Sequence, residues 1–589
     1  MAISLSDKIE SMLEQVEKPA RYIGGEVGST DKANYSCRIV LSYPDVYEIG
    51  TANQAVQVLY SLINNDTEAW AQRAFCPWTD AAAVMRKMKI PLFSLESWQP
   101  VRDADLWGIT MQFELTYTNI LELLDLAGVP IRSRDRTGAD PIVFAGGPAA
   151  SNPHPMGPFF DFIIIGDGER VIPRVVRIYE ESKNLPREEI IGRIAQLDGI
   201  FTPGSARTTT RAVVPELSLA DAPVQPVVPV MHAVHDRAVL EIMRGCTRGC
   251  RFCLAGFWYR PVRERPPDEV SRATACLLEA TGYEEASLSS LSTADYSNIA
   301  SVLRTLAEQD PGVTISLPSL RVDAAVFKLL QLVPVRKGSI TFAPEAGSQR
   351  LRDVINKQVT DDDIESALTE AFRLGYGTIK LYFMIGLPGE TEADLEAIVD
   401  VAVAARSIGR RDALSPGRVQ INASVSNFVP KPHTPFQWEG MNSRAELERK
   451  QKFLRDNMPR KQIRLSMHDI GPSLVEGAVA RGGDQTAGAI EAAWRAGARF
   501  DAWTEMFDPE AWEQGFAVIS STMEAEAMRS FDEKEALPWD DIDSRVDKKF
   551  LLEEKKKAER GEVTTDCRWT GCYSCGVCEG DIEMRMFNV

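Results

Sequence analysis

Long apolar runs are missing from this chain of 589 residues. No window approaches the roughly eighteen consecutive apolar residues that a membrane-spanning helix requires. The first eight residues, MAISLSDK, also lack the basic start and the apolar centre of a secretory signal peptide. Both absences predict a cytoplasmic protein with no membrane partner.

An excess of positive charge is missing as well. The chain has 66 Lys and Arg residues against 84 Asp and Glu residues, which gives a formal net charge of -18. This balance opposes nonspecific attraction to a nucleic-acid backbone, so nucleic acid is not indicated as a partner. A lysine-rich run at residues 548–557 is interrupted by acidic residues, which is typical of a solvated helix face.

Cysteine is scarce outside two groups. Seven of the ten cysteines lie within residues 246–253 and 567–578. Such groups in a long cytoplasmic chain favour metal binding over disulfides. The other three, Cys37, Cys76 and Cys276, are predicted to be small buried hydrophobic residues.

The first group, Cys246, Cys250 and Cys253, has the spacing C-x3-C-x2-C and follows the apolar run 238–242. Three thiolates on a loop after a strand suit three irons of a 4Fe-4S cubane, and they leave the fourth iron open to a cosubstrate. The alternative is structural zinc, which requires four closed ligands. No nearby Cys or His completes such a set, because the two closest histidines precede the strand.

With an aromatic residue, Phe252, before its last cysteine, this motif resembles the signature of radical SAM enzymes. The resemblance implies that Cys246, Cys250 and Cys253 hold the 4Fe-4S cluster and that its unique iron chelates S-adenosylmethionine (SAM). It also implies that Phe252 lies beside SAM and that SAM is cleaved reductively to a 5'-deoxyadenosyl radical. An external electron donor, such as flavodoxin or ferredoxin, would supply the electron.

Short strands alternate with helical stretches between residues 235 and 440. The predicted strands, with the residues that follow them, are 238–242, 285–292, 313–321, 339–348, 378–390 and 420–426, and the predicted helices lie near 267–282, 297–308, 323–333, 361–374 and 391–406. A strand-helix unit repeated six times predicts a partial (β/α)6 barrel, whose reactive face is the carboxyl end of the strands.

Other segments of this predicted barrel resemble SAM-binding motifs of the same family. Glu-Ala-Gly-Ser at 345–348 is similar to a segment whose Glu lies near SAM, and Ile-Gly-Leu-Pro-Gly-Glu at 385–390 is similar to one that packs against the adenine. Taken singly, each of these residues equally suits a turn or a salt bridge of the barrel. The residues that the resemblance assigns to SAM, besides Phe252, are Ser289 for the methionyl amino group, Arg321 and Lys380 for the carboxylate or ribose, Glu345, Gly347 and Gly386.

Before the barrel, residues 31–200 alternate short apolar strands with helical patterns, after an N-terminal helix or arm at 1–30. The last two strands, 141–148 and 161–166, end near glycines. This pattern predicts an α/β domain with a doubly wound, Rossmann-like parallel sheet, in which ligands lie at the carboxyl ends of the strands. Residues 201–234, rich in Pro, Val and Thr, are predicted to form an extended linker.

These glycine-ended strands resemble the cobalamin-binding domain that precedes the barrel in one subclass of radical SAM enzymes. The loop after the first strand reads Asp-Val-Tyr-Glu-Ile-Gly at 45–50, with Tyr47 where cobalt-ligating proteins carry histidine. Because a phenol is a poor neutral ligand compared with imidazole, cobalamin is predicted to bind without a protein histidine on its lower face. The alternatives are a cofactor-free relic of the domain or another ligand. The resemblance assigns to cobalamin Asp45, Tyr47, Gly50, Gly146, Gly147, Gly166 and Glu169.

After the barrel, the proline-rich segment 428–438 is predicted to close the barrel mouth. His433 in this segment is a candidate proton carrier or, alternatively, a loop histidine bonded to backbone. Residues 441–560 are predicted to be mostly helical, with their tryptophans in the core. The tail, 561–589, has the spacing C-x4-C-x2-C-x2-C, which suits either structural zinc or an auxiliary 4Fe-4S cluster. Its four cysteines are Cys567, Cys572, Cys575 and Cys578.

As a whole, the chain resembles uncharacterised members of the cobalamin-binding-domain-containing subclass of radical SAM proteins that carry a C-terminal Cys-rich motif. The resemblance implies reductive cleavage of SAM and cobalamin-dependent methylation of an unactivated carbon on an unknown substrate. One alternative is a methylthiotransferase-like or other cobalamin-independent radical SAM enzyme. Methylthiotransferases carry three N-terminal cysteines, whereas only Cys37 and Cys76 precede the barrel here. The other alternative is a noncatalytic iron-sulfur scaffold or redox sensor.

Overall fold

A computed structural model describes residues 4–309, 312–318, 329, 331, 338–580 and 582–587. Within these residues the strands form a six-stranded sheet, two four-stranded sheets and one two-stranded sheet. The six-stranded sheet belongs to the N-terminal domain, and the two four-stranded sheets form the central domain. Both domains combine parallel strands with covering helices, which confirms the predicted α/β class.

The N-terminal sheet has the strand order β2-β1-β3-β4-β5-β6 and is parallel except for the β5–β6 pair. Its strands are β1 Arg38–Tyr43, β2 Trp70–Phe75, β3 Leu106–Thr110, β4 Ile142–Gly146, β5 Phe162–Ile164 and β6 Ile200–Phe201. Its helices are α1 Leu5–Leu13, α2 Tyr47–Gly50, α3 Gln54–Asp66, α4 Thr79–Met88, α5 Tyr117–Ala127, α6 Ile172–Ser182 and α7 Arg187–Ile194.

Both faces of this sheet are covered, as a doubly wound fold requires. Along β1, Ile39 and Leu41 pack in a core with α3, α6 and α7, whereas Val40 packs in the opposite core with α4 and α5. The alternation follows from the period of two in a strand. The continuous apolar run that predicted β1 is therefore a strand buried on both sides.

The central domain contains the six predicted parallel strands and two more. Its sheets have the orders β11-β10-β8-β9 and β12-β13-β14-β15. The strands are β8 Ala238–Arg244, β9 Arg263–Glu264, β10 Glu285–Ser290, β11 Thr314–Ser316, β12 Ser339–Glu345, β13 Thr378–Ile385, β14 Gln420–Asn427 and β15 Ile463–Met467. The helices are α8 Leu254–Trp258, α9 Pro267–Thr281, α10 Ile299–Gln309, α11 Gln349–Val354, α12 Asp361–Arg373 and α13 Glu392–Asp412. The helix predicted near 323–333 falls almost entirely outside the described residues.

The C-terminal region is mostly helical, as predicted, but β15 interrupts it. This strand extends the barrel sheet by pairing in parallel with β14. Trp512 and Phe516 are buried, as the spacing of the aromatic residues predicted. The helices are α14 Arg444–Asn457, α15 Ile470–Ala480, α16 Thr486–Ala496, α17 Pro509–Val518, α18 Met523–Met528, α19 Lys548–Arg560 and α20 Cys567–Thr570.

The segment predicted as a linker, 201–234, is extended but packed against the rest of the chain. Its strand β7 Thr209–Thr210 pairs in parallel with β16 Ile542–Asp543 of the C-terminal region. Further along, Val227 N donates to Gln57 Oε1 at 3.0 Å. The segment therefore ties the N-terminal domain to the C-terminal region. No helix in the described residues is long and apolar enough to cross a membrane.

Candidate active site

The three cysteines of the first group line a single cavity of about 960 Å³. They follow β8, which ends at Arg244, and Gly245 turns the chain with a φ of 93°. A side chain is excluded at Gly245, because a Cβ there would lie 2.3 Å from Pro261 O. The cavity is at the upper end of the range of about 300–1,000 Å³ that is usual for small-molecule sites.

The thiols of this group influence one another. Burial raises the pKa of Cys246 and raises that of Cys253 to about 12, and the neighbouring thiols add to both shifts. A metal would reverse this preference, because its charge deprotonates a coordinating thiol. In the described part of the chain no fourth cysteine lines the cavity. Three thiols facing one cavity fit a 4Fe-4S cubane with one open iron.

Two residues predicted to contact SAM, Phe252 and Glu345, line the same cavity. Glu345 Oε1 lies 3.2 Å from Lys357 Nζ, and Lys357 lines the cavity as well. A carboxylate and an ammonium group side by side suit a ligand that carries both charges, as the amino-acid end of SAM does. Lys357 belongs to no motif, so no pattern in the sequence marks it as a cavity residue.

Arg248 and Tyr382 also line the cavity and were also missed. Arg248 lies within the cysteine motif, of which only the three thiols and Phe252 were predicted to be site residues. Tyr382 is two residues beyond Lys380 on β13, so the period of two would have placed both on one face of the strand. Tyr382 is 44% exposed, which makes it a large aromatic surface available to a ligand.

Two predicted SAM contacts have structural roles elsewhere. Gly347 faces α13, where a Cβ would lie 2.2 Å from Ile398 N, so the glycine is required for close packing of the helix. Gly386 has a φ of 83° and forms a turn in which its N–H donates to Glu390 Oε2 at 2.9 Å. Neither glycine is among the residues that line the cavity in the described part of the chain.

The remaining predicted SAM contacts are on strands or outside the described residues. Ser289 is half-buried on β10, and the cavity is lined by the following residues Leu291 and Ser292 instead. Lys380 is half-buried on β13, with Thr341 and Asn422 as its neighbours on the adjacent strands. Arg321 lies outside the described residues. The assignment of these three residues to SAM stays a prediction.

His433 is not at this cavity. It is 5% exposed, and its Nε2 lies 2.9 Å from Ser151 O of the N-terminal domain, so Nε2 carries the proton and donates. This bond matches the alternative interpretation, a loop histidine bonded to backbone. That this segment closes the barrel mouth stays a prediction. In the segment, Phe428 and Phe436 pack with Ala346 and Leu387, which follow β12 and β13. Its prolines and aromatic residues fill the junction between the domains.

Burial of the His433 imidazole predicts a pH dependence of stability. Burial lowers the pKa of His433 to about 4, whereas an unfolded histidine titrates near 6.5. As pH falls from about 6.5 to about 4, the unfolded chain takes up a proton that the folded chain refuses. The free energy of unfolding should therefore fall by up to about 3 kcal/mol across this window.

The change His433→Gln keeps an N–H donor for Ser151 O and removes the titration. We expect urea unfolding measured at several pH values to show a flatter acid limb for this variant than for the parent. The exposed His232, 97% accessible at its side chain, is the matched control, and its Gln variant should follow the parent. If the free energy of unfolding fell equally with pH in the parent and in His433→Gln, the lowered pKa of His433 would be contradicted.

The residues assigned to cobalamin on the first loop are in contact with protein. Asp45 is 3% exposed, and its Oδ1 accepts hydrogen bonds from Val46 N at 2.7 Å and Trp503 Nε1 at 3.2 Å. Tyr47 is 2% exposed, and its hydroxyl donates to Glu26 Oε1 at 3.1 Å. A Cβ at Gly50 would lie 2.3 Å from the ring of Phe75.

The residues assigned to cobalamin on the later loops are likewise packed. A Cβ at Gly147 would lie 2.6 Å from Met111 O, and one at Gly166 would lie 2.2 Å from Ala212 O. A Cβ at Gly146 would contact the Ile164 side chain at 3.4 Å. Glu169 Oε1 accepts a hydrogen bond from Arg244 Nη2 at 2.7 Å. Gly147 and Gly166 are therefore packed against backbone, and Glu169 is paired within the chain.

The C-terminal region covers the carboxyl edge of the N-terminal sheet. Asn119 Oδ1 accepts a hydrogen bond from Phe500 N at 2.8 Å. Asn152 Nδ2 donates to Ala480 O at 3.0 Å and to Gly482 O at 2.8 Å. Together with the Trp503–Asp45 bond, these contacts occupy the edge at which a cofactor of a doubly wound sheet would lie. The residues at this edge bond to protein, and their assignment to cobalamin stays a prediction.

The four tail cysteines form the second group. Burial raises the pKa of Cys567 to about 11, and Cys575 and Cys578 add to the shift. Burial also raises the pKa of Cys578, with contributions from Cys575 and Cys572. The tail thiols thus influence one another, and their soft sulfur suits a soft metal group. Within the described residues, neither group of cysteines is drawn together closely enough to ligate one mononuclear ion.

The three cysteines outside the groups differ from one another. Cys37 and Cys76 are buried, as predicted for small hydrophobic residues. Cys276 is exposed on α9, contrary to the prediction. One face of α9 is exposed to solvent, and Cys276 lies on that face. Which face is exposed depends on how α9 packs against the barrel.

Comparison with known families agrees with this site. The family model described as "Radical SAM proteins, N-terminal" matches residues 55–203, and the model "Radical SAM superfamily" matches residues 240–402. The second match contains all three cysteines that line the cavity. The chain belongs to the radical SAM superfamily, and it is a radical SAM enzyme.

Individual relatives were also found. An uncharacterised protein of Methanocaldococcus jannaschii is 27% identical over 448 residues, which cover 75% of this chain and 88% of that protein. A tRNA-2-methylthio-N(6)-dimethylallyladenosine synthase of Sorangium cellulosum is 25% identical over 299 residues, which cover 46% of this chain and 56% of the synthase. Among solved structures, the radical S-adenosylmethionine methyltransferase TsrM from Kitasatospora setae, with cobalamin and a 4Fe-4S cluster bound, has a TM-score of 0.46 and 15% identity, covering 66% of this chain and 74% of that one.

Proposed function

We propose that this radical SAM enzyme cleaves SAM in the cavity lined by Cys246, Cys250 and Cys253 and directs the resulting radical at a substrate in the same cavity. The observation that carries the proposal is the convergence of these three thiols on one cavity of about 960 Å³. When bound there, a 4Fe-4S cluster would supply the electron that cleaves SAM.

The chain's own groups would position the cosubstrate and exclude water. Glu345 is the proposed acceptor for the SAM ammonium group, and Lys357 is the proposed partner of its carboxylate. Both face the cavity, and their separation of 3.2 Å keeps the two charges paired until SAM arrives. Inside a barrel, such charges act more strongly than in bulk water because the surroundings are less polarisable.

The radical is proposed to act without cobalamin. Cobalamin-dependent methylation of an unactivated carbon is the finer prediction from the family resemblance, and the closed carboxyl edge of the N-terminal sheet speaks against it. The relative in Sorangium cellulosum is a methylthio-forming synthase, which favours a cobalamin-independent reaction on a substrate still to be found. The N-terminal sheet is then a scaffold for the C-terminal region.

The tail cysteines Cys567, Cys572, Cys575 and Cys578 are proposed to hold a second metal group. A 4Fe-4S cluster is favoured over zinc, because the protein must already be loaded with iron for its first site. Cys572 and Cys578 are exposed, which suits a site near the surface. A small acidic electron carrier such as flavodoxin or ferredoxin is the proposed donor.

Anaerobic reconstitution tests the proposal. We expect about eight irons per chain if both groups hold cubanes, or about four irons and one zinc if the tail holds zinc. Incubation with SAM and dithionite should then release 5'-deoxyadenosine and methionine in equal amounts. An iron-loaded chain that never yields 5'-deoxyadenosine would be a scaffold or sensor. Stoichiometric retention of added cobalamin would instead restore the methylation hypothesis.

A further inference from the structure

The loop that carries the three cysteines is held from the side of the C-terminal tail. Thr247, the residue after Cys246, donates its hydroxyl to Asp566 Oδ1 at 2.8 Å. Asp566 is the residue before Cys567. Thr247 and Asp566 are 5% and 3% exposed, so this bond is shielded from water. One buried hydrogen bond thus joins the neighbours of the first cysteine in each group.

Two arginines and two aspartates, one of which is Asp566 itself, form a cluster of ion pairs at this bond. Arg248 Nε lies 2.8 Å from Asp295 Oδ2 and 3.4 Å from Asp566 Oδ2. Arg568 Nη2 lies 2.6 Å from Asp566 Oδ2 and 3.2 Å from Asp295 Oδ1. The Asp566 and Arg568 side chains are each 2% exposed. Two arginines and two aspartates balance one another, and bonds between charged groups in a buried setting are short and directional.

Two side-chain amides reinforce the connection. Asn356 Nδ2 donates to Gly249 O at 3.1 Å and to Thr564 O at 3.0 Å. Gln358 Nε2 donates to Arg248 O at 2.9 Å and to Thr564 O at 2.7 Å. Each side-chain amide therefore donates to one carbonyl of the cysteine loop and to the carbonyl of Thr564 in the tail. The carbonyls of Arg248 and Gly249 are thus connected to the tail through the side chains of Gln358 and Asn356.

The next stretch of the loop is fastened to α19, which leads into the tail. Arg251, between Cys250 and Cys253, is fully buried. Its Nη2 lies 3.1 Å from Glu554 Oε2 and donates to Glu562 O at 2.7 Å. Each segment between two cysteines thus contacts the tail or α19 in addition to the barrel, where Arg248 pairs with Asp295 and Arg251 Nη1 donates to Val354 O at 2.9 Å.

We propose that Asp566 is a positioning residue for the three-cysteine loop: through Thr247 it holds Cys246 in the geometry that binds the SAM-cleaving cluster. The inference rests on the proposed function for what the loop binds, but the contact itself does not. A loop between a strand and a helix has few backbone partners of its own. Groups that orient metal ligands typically change affinity or activity about 10- to 100-fold when removed.

Three variants distinguish the effect of the Thr247 hydroxyl bond to Asp566 from the effect of side-chain size. Thr247→Val is nearly isosteric and removes the donor, Thr247→Ser keeps it, and Asp566→Asn removes the charge of the acceptor. We expect Thr247→Val and Asp566→Asn to bind SAM about tenfold more weakly, whereas Thr247→Ser restores parental binding. The readout is the change in the electron paramagnetic resonance spectrum of the reduced, reconstituted protein during SAM titration. Glu553→Gln, an exposed change on α19, is the control.

A second readout does not depend on SAM. Amide hydrogen exchange of the 246–253 peptide, measured in the full as-isolated chain, should be about tenfold faster in Thr247→Val and Asp566→Asn than in the parent. Unchanged exchange in both variants overturns the proposal, as does a Thr247→Ser variant that behaves like Thr247→Val. Faster exchange in a protein that neither binds nor cleaves SAM leaves the contact standing and refutes the proposed function alone.

Discussion

Replacing Cys250 by serine should abolish release of 5'-deoxyadenosine from SAM. Cys250 is one of three thiols on the cavity, and a serine hydroxyl is a poor ligand for iron in a cluster. The loss should exceed the roughly 10- to 100-fold that follows from changes to groups that merely support a ligand. The measurement is 5'-deoxyadenosine per chain after anaerobic reconstitution and reduction, together with the iron content.

The matched control is Cys276→Ser, the same chemical change at an exposed cysteine that does not line the cavity. This variant should retain the parental iron content and cleavage rate. If Cys250→Ser kept its activity while losing no iron, the three-cysteine site would not be the reactive centre. If the cysteine tail alone held iron, Cys250→Ser would keep the full iron content of the parent, and that result too would refute the assignment.

Replacing Arg73 by methionine should destabilise the N-terminal domain by about 3–5 kcal/mol. Arg73 is fully buried on β2, with Nε 2.7 Å from Glu96 Oε1 and Nη2 2.9 Å from Glu26 Oε2. The side chains of both glutamates are also almost fully buried. Without the guanidinium, two carboxylates would remain in the interior with no counter-charge. Urea unfolding followed by the fluorescence of Trp70, three residues away, would report the change.

The comparison for this change is Arg86→Met. Arg86 is 45% exposed at its side chain and pairs with the surface residue Asp125 and with the buried Glu122, which would keep a counter-charge in Arg499 at 2.6 Å. Exposed ion pairs contribute at most about 1 kcal/mol, so this variant should unfold close to the parent. Adding Glu26→Gln and Glu96→Gln to Arg73→Met should recover part of the loss. Equal midpoints for Arg73→Met and Arg86→Met would show that the buried charges are not coupled.

The glycines among the predicted SAM contacts show how one residue type serves two purposes. A glycine after a barrel strand suits close approach of a ligand or close approach of another backbone. At Gly347 the neighbour is Ile398 N of α13, 2.2 Å from the position of a Cβ. The residues around Gly347 in sequence do not distinguish these cases. Only the packing of a helix some fifty residues further on does.

The residues assigned to cobalamin show the same ambiguity on a larger scale. Glycine-ended parallel strands create an open carboxyl edge in an isolated doubly wound domain. Here the partner of Asp45 at that edge is Trp503, 458 positions away in the chain. No local pattern near residue 45 carries information about residue 503. The sequence of the edge alone therefore gives no sign of the bonds that the C-terminal region makes to it.

The sequence by itself determined the parts of this protein that depend on local order. Three thiols within eight residues, placed after a strand, define a metal loop wherever the strand lies, and a period of strands and helices defines parallel sheets. The tertiary structure alone decided which polar groups share the cavity, which edge is covered, and that Thr247 meets Asp566 from 319 positions away. Those contacts depend on how whole domains pack. Side chains that are hundreds of positions apart meet because their shapes and charges match in space, and such a match produces no regular spacing in the sequence.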